Sequence, residues 1–578
     1  VPNANTPTPR ALLAIAAAAA PSLLAYNTSP SPTFLNQALA VALWGWFVVA
    51  AAPSAGRCWQ GAGPLFGALA LMTASVFWSW GPGSLPMGLA LSAIGLLLAT
   101  AVLVAGGAGV HSRPDPARAF GDFALGWVVA GVFNVAIAVV QVFTPEWPDG
   151  DWIAHSGIVG RAVGNLRQPN HLSSLLVWAA VSVVALVELR RLKRGPAAAL
   201  LAMMVFGVVL SGSRTGLLSI GLLAVWGLAD RRLSRPARWL LLAAPAFCAL
   251  AWLGMAEWAK LSAHTFGAAA RLSETDISGS RYAIWRNTLV MIGQQPWTGV
   301  GFGEFNFAWT LTPFPGRPVA FFDHTHNLPL QLAVEIGLPL TCAVLALLGV
   351  ALWRAVRLAW GDEPGGEREL GSARRCALMM VLMIGLHSLL EYPLWYSYFL
   401  LPAAWAWAFA VGRPAEGVAP EAGPPSRAVV GCGVALVAGS MLSVLDYSQV
   451  TAIFSVAEHA PPLAQRIAVG QRSVLFAHHA DYAAATTDVM PKDDLRPFVR
   501  ATHYLLDTRL MMAWAKALAA HGQVDEARFL AARLREFHNA ASDEFFEDCD
   551  DAPAATAPFQ CQAPQQQPNW RVFQRPVP

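Results

Sequence analysis

Apolar runs about the length of a membrane crossing recur through the first 446 residues of this chain, and no other feature restricts its fold so tightly. A bilayer's hydrocarbon core takes about 20 apolar residues as a helix. Backbone polar groups inside it must be paired within the segment, so such a chain folds as a bundle of spanning helices. Thirteen spans are expected: 11–26, 35–53, 63–80, 84–106, 119–143, 168–189, 196–211, 213–230, 237–258, 326–353, 374–391, 394–412 and 427–446. Charged residues make up 13% of the chain, against about 25% in globular domains. The run after Arg10 has signal-peptide character, but another span follows at once and no small-x-small site closes it. It reads as the first span. The net charge of +3 says little about partners; the bilayer is one, and a nucleic acid is not expected.

Lys and Arg mark the cytoplasmic side. Arg57, Arg113 and Arg118, the 190–194 cluster, the 231–238 cluster and the 354–375 cluster all fall on one side if the N-terminus is inside. The other side receives 144–167, the Ser211–Arg214 turn, 259–325, the Glu391–Pro393 turn and everything after Asp446. Those outward segments nevertheless hold Arg161, Arg167, Arg214, Arg271, Arg281, Arg286 and Arg317. Binding an anion is one reason for cations there; snorkelling to headgroups is the other.

The tail after 447 is not membrane-like. Leu510–His538 reads as helix, Gly turn, helix, with Ala513, Ala517, Ala520 and Ala527 where two helices would press together, as in a tetratricopeptide-type (TPR-like) unit. One unit cannot bury its own face, so helices from 447–506 are expected to complete it. Residues 546–578 read as disordered. The domains expected are a membrane domain over 1–446 with an outward loop at 259–325, a helical domain over 447–545, and that end. Cys549 and Cys561 are able to pair in an oxidising compartment; Cys58, Cys248, Cys342, Cys376 and Cys432 read as small apolar residues.

The segment from Ser278 to Leu340 is polar, Gly-rich and aromatic-rich, and a loop this long is usually functional. Outside the membrane the activated donors available are lipids carrying phosphate or diphosphate. Breaking a sugar–phosphate bond there takes guanidinium groups for the departing diphosphate and an imidazole to accept the proton of the attacking hydroxyl. Arg214 in SGSRTG and Arg281 in SGSRYAIW, each behind a Ser-Gly-Ser lead, and His326 at the start of a span supply that set. Their structural alternatives are a hairpin cap for Arg214, an ion pair with Glu274 or Asp276 for Arg281, and a helix-start residue for His326. Arg286 adds a cation. Asn165, Gln168, Asn170 and His171 form a polar entry to a span, suited to sugar hydroxyls or diphosphate, or to capping. Glu391, near His387, is an ionisable group at a membrane boundary. Asp323, His324 and His326 also admit a zinc reading, which is not the one expected.

SGSRTGLLS at 211–219, SGSRYAIWRN at 278–287, GVGFGEF at 299–305 and HTHNLPLQLAVEIG at 324–337 resemble the O-antigen ligase superfamily. Its His-Asn pair, followed beyond a further stretch by Gly, is matched by His326, Asn327 and Gly337. GNLRQPNHLSSLL at 164–176, LLEYPLWYSYFLLPAAW at 389–405 and the helical tail resemble the pilin-type protein O-oligosaccharyltransferases. The resemblance implies an all-α polytopic, GT-C-like bundle in the bacterial inner membrane, with a large periplasmic loop and a TPR-like periplasmic domain. It implies an undecaprenyl-diphosphate-linked oligosaccharide as donor, a Ser or Thr hydroxyl of a pilin-like protein as acceptor, and inverting transfer without metal or other cofactor. By the resemblance His326 would be the base and Arg214 and Arg281 the diphosphate clamp, while the residues alone leave open whether His324 or His326 is the base; Arg286, Asn165, Gln168, Asn170, His171, His324, Asn327 and Glu391 are expected to bind donor or acceptor. The alternatives are transfer to lipid A core, glycan polymerisation and, from another class, lipid-linked glycan transport; the chain lacks the matched Gly/Pro-broken halves of many transporters.

Overall fold

Each expected span meets an apolar helix. The computed structural model describes residues 8–574 apart from 55–58, 263, 268, 270–275, 316, 319–320, 362–367, 415–422, 456–457, 491–493 and 550–556, and only the backbone of 276–280. Arg57, Cys58, Arg271, Glu274 and the Asp276 side chain therefore lie outside the described residues. In order, the α-helices are α1 (Pro9–Leu23), α2 (Phe34–Ala50), α3 (Gly63–Trp80), α4 (Met87–Gly109), α5 (Pro116–Phe143), α6 (Pro169–Glu188), α7 (Arg194–Ser211), α8 (Arg214–Ala229) and α9 (Arg235–Ser262). There follow α10 (Asp276–Gln294), α11 (Phe305–Leu311), α12 (Leu328–Ile336), α13 (Leu338–Trp360), α14 (Arg368–Ser388), α15 (Ser397–Val411) and α16 (Arg427–Phe454). The tail adds α17 (Leu463–Gly470), α18 (Ala477–Thr486), α19 (Arg496–Thr502), α20 (Thr508–Ala520), α21 (Val524–Arg535) and α22 (Asp543–Phe546). Among the described residues nine helices are long and apolar enough to cross a membrane, and α1, α2, α8 and α15 are shorter apolar helices. The protein is an all-α, multi-pass membrane protein.

The contacts divide the chain into two units. Unit one comprises 1–69, 98–275 and 346–442. Its centre is α6: 94% of that helix's apolar window is buried, so it lies inside the bundle and not against lipid. Helices α5, α7, α8 and α14 pack around it. Beside it lies an aromatic core in which Phe123 meets Trp405 at 4.5 Å and Trp127 meets Trp178 edge-on at 4.8 Å. Helix starts follow local sequence. Asp115, Gln168 and Ser213 each accept a first-turn N–H, and Pro116 and Pro169 stand where a helix needs no donor.

Unit two comprises 70–97, 276–345 and 443–578. Residues 276–325 of the expected loop and the tail thus share one core, where separate domains were expected. Phe305, Phe307 and Trp309 of α11 are buried with Leu510, Trp514, Leu530 and Phe537 of the tail. The α20–α21 pair forms the helix–Gly turn–helix read from sequence, with Gly522 at φ +79° and Ala517 and Ala527 buried. Ala520 is exposed. The amphipathic face of this pair is completed by α11 as well as by tail helices. The end of the chain also departs from expectation. Cys549 and Cys561 are disulfide-bonded, and Trp570 and Phe573 are buried in the unit-two core, so 557–574 is structured by apolar anchors that a Pro/Gln-rich composition hides.

The run 326–353, expected as one span, is two helices. Gly337 separates α12 from α13 at φ +77°, and a Cβ there would lie 2.4 Å from the Trp297 carbonyl oxygen. The GVGFGEF turn clamps this break: Val300 and Gly301 N–H donate to the carbonyls of Val334 and Glu335, and Leu338 N–H donates to that of Pro296. The candidate span therefore begins at Leu338, and His326 precedes a short helix that is not part of it.

Candidate functional site

Unit one holds Asn165, Gln168, Asn170, His171, Arg214 and Glu391; unit two holds Arg281, Arg286, His324, His326 and Asn327.

In unit one the carboxylate of Glu391 organises the polar entry to α6. Its two oxygens accept from Gln168 Nε2 and Asn170 Nδ2, both at 2.7 Å. Asn170 Oδ1 in turn accepts from the Ser213 hydroxyl at 2.6 Å, and Ser213 caps α8 through Gly216 N–H. Arg214, exposed, is the first residue of that helix. The chain Glu391–Asn170–Ser213 thus fixes the helix start that carries Arg214. His387 shares Nδ1 with the Ser174 hydroxyl at 2.7 Å. His171 is buried, with Nδ1 on the Tyr398 hydroxyl at 3.2 Å and the Tyr396 ring edge-on at 4.6 Å. Asn165 is tied to the backbone around it: its oxygen accepts from Ala154 N–H and its amide donates to the carbonyls of Leu23 and Trp152, which uses three of its four hydrogen-bonding positions. Arg161 likewise donates to the Ser211 and Gly212 carbonyls at the end of α7. Backbone carbonyls at a helix end are natural partners for a cation, which accounts for one arginine of the segments expected to face outward without an anion.

In unit two, α10 packs beside the histidine segment. Trp285 Nε1 donates to the Thr325 carbonyl at 2.9 Å, next to His326. Arg281 is one turn before Trp285, so it lies on the same face of α10. Residues on both sides of His326 are pinned. Thr325 N–H donates to Gln331 Oε1, its hydroxyl to the Asn327 carbonyl, and Asn327 Oδ1 accepts from Leu330 N–H. Asn327 is therefore the cap of α12. His326 itself has φ +55°, a left-handed conformation uncommon for a residue with a side chain. Such a conformation persists where its neighbours over-determine it, and it concentrates at functional sites.

His324 is buried and joins two partners: its Nδ1 donates to Asp323 Oδ1, and its Nε2 lies 3.2 Å from His326 Nδ1. Desolvation raises the Asp323 carboxyl, but the hydrogen bond and charge of His324 outweigh it and hold the group below the ordinary carboxylate range. Arg286 is exposed and donates to the Pro315 carbonyl at 3.1 Å. Arg317 is buried between the rings of Trp309 and Phe537 and pairs with Glu536 at 3.1 Å, a packing role. Sequence reading passed over Trp285, Gln331, Ser213 and Ser174. The four-residue spacing of Arg281 and Trp285 was the available signal for the first; the others carry none, since capping and bridging hydroxyls are ordinary in any helix start.

Residues 199–345 match the family described as O-antigen ligase. Residues 376–547 match one described as virulence factor membrane-bound polymerase, C-terminal, and 162–187 one described as protein glycosylation ligase. The chain is 28% identical over 252 residues to a general O-oligosaccharyltransferase of Acinetobacter baylyi, covering 42% of each chain. It is 24% identical over 292 residues to a ComP-specific O-oligosaccharyltransferase of the same organism, covering 48% of this chain and 49% of that one. The chain spans less than half the length of these curated relatives. Its similarity is to the O-antigen ligase superfamily, on the protein-glycosylating branch.

Proposed function

We propose that this protein is a glycosyltransferase that moves a glycan from an undecaprenyl-diphosphate-linked donor to a Ser or Thr hydroxyl of a secreted, pilin-like protein at the periplasmic face of the inner membrane. The observation that carries this reading is the Trp285–Thr325 hydrogen bond, which packs the Arg281 face of α10 against the segment bearing His326. A guanidinium and an imidazole are the groups a diphosphate leaving group and an attacking alcohol require. In the reaction the acceptor oxygen bonds to the anomeric carbon from the face opposite the diphosphate. The acceptor's proton passes to His326, and the carbon–oxygen bond to phosphate breaks with its electron pair on the diphosphate, whose charge Arg281 meets. Arg214 keeps the diphosphate-binding role that the resemblance implies. The match to protein O-oligosaccharyltransferases supports a protein acceptor, and the Cys549–Cys561 disulfide supports an oxidising compartment for the tail.

A second reading, transfer to a saccharide as in ligation to lipid A core or in polymerisation, is favoured by the ligase and polymerase matches. Membranes containing the protein and a lipid-linked glycan should glycosylate purified pilin and leave lipid A core unmodified; the reverse pattern selects the second reading. His326→Ala should abolish transfer while the protein still inserts. Arg281→Lys should be strongly impaired, because a point charge does not replace the planar fork. A chelator should leave the rate unchanged, and activity lost to EDTA and regained with a divalent ion would overturn the metal-independent mechanism.

A further inference from the structure

We propose that Asp323, His324 and His326 form a hydrogen-bonded relay in which His326 Nε2 is the basic atom and His324 is a positioning residue. This rests on the transferase reading above and specifies which nitrogen performs its proton transfer. The assignment starts at the end of the chain that has no freedom. An ionised carboxylate only accepts, so His324 Nδ1 must carry the hydrogen that it gives to Asp323. In neutral His324 that leaves Nε2 as the lone-pair nitrogen. It lies 3.2 Å from His326 Nδ1, which must then be the donor of that pair. Neutral His326 accordingly holds its hydrogen on Nδ1 and its lone pair on Nε2. The hydrogen bond made by one ring nitrogen selects the chemistry of the other.

The backbone serves the same end. The left-handed φ of His326 turns its ring back to His324, with ring centroids 4.1 Å apart, while Phe322 closes one side edge-on at 5.6 Å. When Nε2 takes the acceptor's proton, the new imidazolium keeps its Nδ1–H on His324. The negative charge of Asp323, one imidazole away, stabilises it. Among the described residues, the other charged or titratable groups on the elements packed here are Arg281, Tyr282 and Arg286 of α10, Glu304 with its partner His503 at the start of α11, and Glu335 at the far end of α12.

The test is the pH profile of kcat/KM for the full chain in membranes, using the lipid-linked donor and a purified pilin acceptor. Wild type is compared with Asp323→Asn, His324→Ala, His324→Gln and His326→Ala. Removing the Asp323 charge lowers the basicity of His326, so Asp323→Asn should move the acidic limb to lower pH and lower the plateau by roughly ten- to a hundredfold, a part of the roughly 10²–10⁴-fold that a general base supplies. His324→Ala should lose at least as much. His324→Gln should recover part of that loss, because an amide oxygen is able to accept the His326 Nδ1–H. An unmoved acidic limb in Asp323→Asn and His324→Ala overturns the relay, whether the plateau is retained or lost, since a purely structural role lowers the rate without moving the limb. Substantial turnover by His326→Ala overturns the base role itself, and with it the transferase mechanism. The two failures are therefore distinguishable.

Discussion

Glu335 and Glu391 show how much a single carboxyl decides in this molecule. Glu335 is buried at the end of α12, accepts from Gln331 Nε2 at 2.9 Å and is approached by the N–H groups of Gly303 and Phe305. Burial dominates and pushes its pKa from 4.5 up to about 7. A carboxyl raised on folding favours the folded state below its unfolded value and loses that contribution as pH climbs through the folded one. Thermal stability in detergent should therefore fall between about pH 4.5 and 7 in wild type and fall less in Glu335→Gln; parallel curves for the two would refute this. Glu391 has the opposite duty, accepting two side-chain amides at once. Glu391→Ala leaves Gln168 and Asn170 without that acceptor, at roughly 1–3 kcal/mol for each unpaired group. A lowered melting temperature is expected, together with weakened transfer, because the α8 start is no longer held. The residue types at these positions were legible in the sequence. Their partners were not, because Glu391 and Asn170 are more than two hundred positions apart and only the fold joins them.

Helices and turns were the most readable level. Apolar runs located the spans because a bilayer imposes length and composition directly, and the α20–α21 pair followed from its Gly turn and small residues. The break at Gly337 escaped notice: α12 and α13 are both apolar, and what parts them is a carbonyl of the 297–301 turn lying where a side chain would be. The end of the tail escaped for a related reason, since two aromatic anchors and one disulfide outweigh a composition typical of disorder. That disulfide closes a separation of 12 residues, and a cross-link of such a loop is worth about 3 kcal/mol in chain-entropy terms. Cys549→Ser should loosen 557–574, seen as faster amide exchange at Trp570 and Phe573, with the membrane helices unaffected. Unchanged exchange there would mean that the aromatic anchors alone hold the segment.

At the scale of the whole molecule, unit two joins stretches of chain that are far apart in order of synthesis. His503 Nδ1 lies within 2.8 Å of both carboxylate oxygens of Glu304, and Leu506 N–H donates to Asn306 Oδ1 at 2.8 Å. A hydrogen bond to a charged group is worth about 1.5–3 kcal/mol, so His503→Ala should destabilise the 303–322 stretch together with the tail. Limited proteolysis should then cut both at similar rates, and selective cutting of the tail alone would count against a shared core. The reading of the tail as a helical domain closed by its own helices, natural from sequence, overlooked this because hydrophobic faces announce that they need a partner and not which one. A ribosome delivers His326 long before it delivers Phe537 or Trp570, and the earlier segment has no finished core until the later one arrives. On the function proposed above, maturation of the site is accordingly a late event, and a nascent chain stalled just past α16 would hold all its membrane helices and yet be inert.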